Sequence, residues 1–119
     1  MSRDAQRLPD YLDHLAQAIE RIQRYTEGLD EAGFVGSEII QDAVIRNLEI
    51  VGEASRNIER NHADFAAAHP DLPLAMAYEM RNALAHGYFV VDLGIVWATL
   101  KHDLPPLHQR VLALRQTLG

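Results

Sequence analysis

The stretch LPDYLDHLAQAIERI, residues 8–22, decides the fold. Leu8, Leu12, Leu15, Ile19 and Ile22 recur every three or four residues, a period that gathers them on one face of an α-helix and fits no strand. Pro9 suits the first turn of such a helix, where its missing N–H is not needed, and Gly28 suits the end. The same period returns downstream. After a loop at residues 30–36, Ser37 is placed to cap a second helix whose apolar face is Ile40, Val44, Leu48, Val51 and Ile58. Gly52, Ala54 and Ser55 make that helix slim and allow a neighbour to approach closely, although Gly52 costs roughly 1 kcal/mol of helix propensity relative to Ala.

Residues 61–73 read as a connector, with a short helical piece at 64–68 and the breakers Pro70 and Pro73. A third long helix is predicted from about Pro73 through Leu74, Ala77, Met80, Leu84 and Ala85, stopping at Gly87 and leaving His86 at its C-terminus. Asp92 can cap a fourth helix carrying Ile95, Val96 and Leu100. Pro105 and Pro106 then either kink it or separate a final helix containing Leu107, Val111 and Leu114. Tyr88 to Val91 is too short to build a sheet. The expected architecture is all-α, an up-and-down bundle of four to five helices forming a single domain over residues 1–119.

Composition narrows the function. The apolar fraction of 48% and charged fraction of 24% are those of a soluble globular domain. No window approaches a membrane span, and residues 1–13 are interrupted by Arg3, Asp4, Arg7, Asp10 and Asp13, so no export signal is expected and the location expected is cytoplasmic. Cysteine is absent, which removes disulfides, thiolate metal sites and cysteine nucleophiles. The net charge of −6 argues against wrapping nucleic acid on a general basic surface, so any such contact must be local. Lys101 is the only lysine; the other basic residues are all Arg, the better fork for one phosphate.

Several chemistries drop out. There is no phosphate-binding Gly-Lys loop, no dinucleotide fingerprint and no His-Glu-x-x-His helix. Glu59 and His62 form one Glu-x-x-His, whereas a di-metal carboxylate bundle needs two such motifs and two more Glu. Glu49 and Glu53, one turn apart, read as a solvated face balanced by Arg46 and Arg56. His14, His62, His69, His102 and His108 read as surface or capping residues.

Residues 81–88 are different. Arg81, Asn82, His86 and Tyr88 concentrate a guanidinium, an amide, an imidazole and a phenol in one short stretch. On an ideal helix Arg81 and His86 stand about 140° apart around the axis and roughly 7.5 Å along it, so they do not meet within one chain. Two copies facing each other across a twofold axis can bring both groups to one phosphate. RNA carries its own nucleophile, the 2′-hydroxyl, so such a site need only hold the phosphate, move protons and stabilise developing charge, without a metal. The negative end of the helix dipole favours protonated His86, which suits an acid or electrostatic stabiliser. On spacing alone a second reading stands beside this one: Arg81 as a solvated helix residue and His86 as a cap for the last carbonyls.

The pattern Arg81-Asn82, four residues, His86, one residue, Tyr88 resembles the Arg-(x)4-His-x-Tyr signature of HepT-like toxins of the HEPN superfamily, which usually carry a polar residue directly after the Arg. The likeness extends in order through residues 46–54, the Pro-rich approach to Arg81, Gly87, residues 89–92, residues 96–99 and residues 103–105, nearly the whole chain.

This resemblance implies an all-α HEPN fold, a homodimer with both motifs at its interface, and metal-independent endoribonuclease activity with no cofactor. Catalytic roles carry over to Arg81 and His86, with Asn82 and Tyr88 supporting. It further implies a toxin of a type II or type VII-like toxin–antitoxin system, whose small nucleotidyltransferase antitoxin silences it by transferring AMP to a tyrosine, here Tyr88. Negative charge and bulk there would occlude RNA phosphate. The alternative is a non-catalytic helical module that binds a nucleotide or the nucleotidyltransferase.

Overall fold

The computed structural model describes residues 3–74 and 92–118, and among them every regular element is helical. Helix α1 (Arg3–Tyr25) buries the face predicted for it, with Leu12, Leu15 and Ile19 fully enclosed and Ile22 nearly so. Pro9 is not in its first turn but inside it. A proline there removes the bond to the carbonyl four residues back and crowds that carbonyl, but nothing in residues 3–7 breaks a helix, and the helix begins earlier than the proline suggested. At the other end Thr26 Oγ1 donates to Ile22 O at 2.8 Å, and Gly28, at φ 77°, turns the chain through a conformation that side chains disfavour.

The loop expected at residues 30–36 is largely a short helix, α2 (Glu31–Val35), started by Asp30 Oδ1 accepting from Gly33 N at 2.8 Å. Five residues are too few to show a period, so the cap was its only signature. Its purpose is Phe34, fully buried and packed on Trp97 with ring centroids 5.5 Å apart.

Ser37 caps α3 (Glu38–Asn61) as predicted, its Oγ accepting from Ile40 N at 3.4 Å. Val44, Leu48, Val51 and Ile58 are fully buried, and so, in effect, are the slim residues Gly52, Ala54 and Ser55. The buried polar groups are satisfied locally: Ser55 Oγ donates to Val51 O at 2.8 Å and Asn47 Nδ2 to Ala43 O at 2.8 Å. Asn61 reaches Tyr11 Oη at 3.4 Å near the start of α1, while Arg21 reaches Asn47 Oδ1 at 3.5 Å near its end. Helices α1 and α3 are therefore antiparallel neighbours along most of their length.

The short helix expected in the connector is α4 (Ala63–Ala68), followed by Pro70 outside it. The next described element is α5 (Leu93–Ala98), whose cap is Asp92, as predicted: its Oδ1 accepts from Ile95 N at 3.1 Å. A π-helical turn (Thr99–Asp103) joins it to α6 (Leu104–Thr117). The two prolines account for that widened turn. Leu104 N bonds back to Thr99 O, and the Lys101 carbonyl has no donor four or five residues on, because both positions are proline. Of the two outcomes left open by the sequence the structure shows the second: Pro105 and Pro106 sit in the first turn of a final helix, α6, where N–H groups are unneeded.

Leu104, Leu107, Val111 and Leu114 of α6 close the core against α1. The result is an all-α bundle, with α1 sandwiched between α3 and α6. No described helix is long and apolar enough to cross a membrane. The third long helix predicted from the sequence lies outside the described residues beyond Leu74.

Candidate functional site

Arg81, Asn82, His86 and Tyr88 all lie outside the described residues; the structure shows how the bundle holds the chain on either side of them. Before the segment, Leu72 and Leu74 are inserted in the core at 4% and 3% exposure, so the chain leaves from a fixed point. Asp71 beside them is in ion-pair contact with Arg110 of α6. The approach is close but not directed as a linear hydrogen bond, which leaves Arg110 Nε without a properly aligned acceptor. The guanidinium nonetheless holds the Asp71 carboxyl below the usual carboxylate range. After the segment, Asp92 caps α5, which is locked by buried Val96 and by Trp97 against Phe34.

The remaining histidines fall largely where the sequence suggested. His102 is exposed, and His69 ends α4 with its ring 4.6 Å from that of Phe65. His108 is more than a surface residue, since Nε2 lies 2.8 Å from Glu20 Oε2 and ties α6 to α1. His62 joins α3 to α4, donates its backbone N–H to Ile58 O, and turns its ring edge to Tyr11 at a centroid distance of 6.0 Å. Among the described residues no three His, Asp or Glu side chains gather as metal ligands would.

One feature escaped the sequence reading. A cleft of about 240 Å³ opens between α1 and α3, walled by Tyr11 and His14 on one side and by Arg46, Glu49, Glu53 and Asn57 on the other. The four α3 residues follow one another at helical spacing away from the buried face of Val44, Leu48, Val51 and Ile58, with Arg46 and Glu53 exposed and Glu49 and Asn57 half-buried along the rim of the cleft. The expected balancing of Glu49 by Arg46 does not occur: neither makes an ion pair or hydrogen bond among the described residues. The available signal was the mixture of an acceptor pair, a donor fork and an amide along a single helix face.

The described elements form an all-α bundle. A model of the family described as "Ribonuclease HepT-like" matches residues 15–114, and the chain belongs to that family. A "Probable ribonuclease HepT" of Thermococcus cleftensis is 42% identical over 107 residues, covering 90% of this chain and 94% of that protein. A Methanocaldococcus jannaschii protein named "Gamma-glutamylcyclotransferase and putative RNase" is 39% identical over 108 residues, 91% of this chain but 47% of its own length, so this chain spans about half of it. No solved structure matches the chain significantly.

Proposed function

We propose that this protein is a metal-independent endoribonuclease that works as a homodimer, with Arg81 and His86 of both copies forming a composite site. The observation that carries the reading is the family match over residues 15–114, a span that contains the complete Arg81, His86, Tyr88 pattern. The names of the relatives support its ribonuclease part.

In this reading the Arg81 guanidinium grips the scissile phosphate through paired N–H donors. The RNA 2′-oxygen attacks phosphorus and the bond to the 5′-oxygen breaks, leaving a 2′,3′-cyclic phosphate. Protonated His86 gives its proton to the departing 5′-oxygen, and water accepts the proton from the 2′-hydroxyl. Arg81 stabilises the charge that builds on the phosphoryl oxygens. The protein is further proposed to be the toxin of a toxin–antitoxin pair, silenced when a nucleotidyltransferase moves AMP from ATP to the Tyr88 oxygen with loss of pyrophosphate. The adduct sets a phosphate beside Arg81 and His86, where it competes with RNA.

Exchange between Arg81→Ala and His86→Ala chains tests the composite site. Each homodimer lacks one role altogether, and the mixed dimer restores one copy of each. Recovered cleavage in the exchanged mixture supports the dimer site; a fully active monodisperse monomer refutes it.

A further inference from the structure

We propose that the cleft between α1 and α3 binds a guanine base, an inference that rests on the ribonuclease reading and gives that enzyme a base preference. The cleft holds about 240 Å³, and its two sides come from residues more than thirty positions apart in sequence that only helix packing brings together.

The chemistry of its walls selects the ligand. Arg46 and Glu49 stand one turn apart on α3, a spacing at which opposite charges readily pair, yet neither is engaged by the other or by any described neighbour. They offer, side by side, a fork of N–H donors and a pair of carboxylate acceptors. Guanine carries the complement of both: its O6 and N7 accept two bonds from an arginine, and its N1–H and N2–H groups, adjacent on another edge, donate to a carboxylate. Adenine sets a lone pair beside its amino group on that edge, so a carboxylate meets one donor and one repelling acceptor. Uracil lacks the N7 acceptor that completes the arginine fork, and cytosine, whose O2 and N3 can take that fork, has only its N4 amino group left for the carboxylate where guanine offers N1–H and N2–H. The exposed His14 ring, across the cleft from α3, supplies a surface for stacking, and Asn57 adds an amide that can donate or accept.

Hydrogen bonding to a neutral base needs no cluster of basic residues. An acidic chain with a net charge of −6 gains RNA contact in this way without a general basic surface.

The test is binding of the four nucleoside 5′-monophosphates to the full chain, followed by amide chemical shifts, with ribose 5-phosphate as the control for the shared sugar phosphate. GMP should bind at least about tenfold more tightly than AMP, the scale of one good bidentate contact, and should shift amides in residues 11–14 and 46–57. Glu49→Gln, which replaces one acceptor by a donor at constant shape, should erase most of that preference, and Arg46→Met should weaken GMP more than AMP. Equal binding of the four nucleotides, no binding in the millimolar range, shifts elsewhere, or an unchanged preference in Glu49→Gln would each overturn the assignment. The readout involves no cleavage, so GMP selectivity in a protein that leaves RNA intact would refute the ribonuclease reading and not the base site. Cleavage without GMP selectivity would do the reverse.

Discussion

His108 Nε2 lies 2.8 Å from Glu20 Oε2, and that contact sets the register of α6 on α1. Seven residues further along each helix, in opposite directions, Arg115 Nε donates to Asp13 Oδ1 at the same 2.8 Å. The two contacts are a repeat of one antiparallel alignment. Glu20 is 44% exposed, so water screens the pair and its worth is modest. A double-mutant cycle of Glu20→Gln and His108→Ala by urea unfolding should give a coupling of about 0.5–1.5 kcal/mol. Additive effects would mean that the contact is incidental.

Phe34 makes a stronger claim on stability. It is fully buried from a helix of five residues, so its side chain is the main apolar anchor of α2, beside the Gln41 amide that donates to Phe34 O and Val35 O. Phe34→Ala should cost about 3–5 kcal/mol. It should also change the fluorescence of Trp97, the only tryptophan, whose ring packs against it. A loss under 1 kcal/mol with an unchanged spectrum would show that α2 is held by other means.

The Asp71–Arg110 contact predicts a pH effect of definite sign. The guanidinium lowers the Asp71 pKa in the folded state, so the stabilisation it gives is complete above the ordinary carboxylate pKa and is lost as pH falls through the lowered folded value. In Arg110→Met, carboxyl NMR titration of Asp71 should move up to the ordinary range. No movement would remove the arginine as the cause.

Tyr88→Phe separates a modified phenol from a packing aromatic. The variant should keep cleaving RNA and should escape silencing by a cognate nucleotidyltransferase supplied with ATP. Mass spectrometry of the treated wild type should find added AMP on the peptide containing Tyr88. AMP on another peptide, or equal covalent silencing of the Phe variant, would move the acceptor elsewhere.

Much of the fold was legible because it is written in short-range chemistry. The Leu12 to Ile22 face, the Ser37 cap and the Asp92 cap are local patterns, and the structure carries each of them. Helix α2 was not legible as a period because five residues complete barely one turn. Pro9 misplaced the start of α1, since a proline tolerated inside a helix looks the same in sequence as one that opens it. Pro105 and Pro106 left two outcomes open; the final helix is the one observed, and the π turn that joins it to α5 follows only when the missing donors are counted. Arg81, Asn82, His86 and Tyr88 were legible through resemblance, because their spacing alone also fits a solvated arginine and a helix cap. The α1–α3 cleft was hidden for a different reason. His14 and Arg46 become neighbours only through packing, and a polar helix face reads as solvent-exposed until something is found opposite it.

The central claim is RNA cleavage by His86 and Arg81 without a metal. It is tested most directly by incubating purified wild type and His86→Ala with a defined RNA in excess chelator and analysing the new ends. The wild type should produce 2′,3′-cyclic phosphate ends, and His86→Ala, folded and dimeric, should be slower by roughly 10²-fold or more. Cleavage abolished by the chelator, or undiminished in His86→Ala, would contradict it.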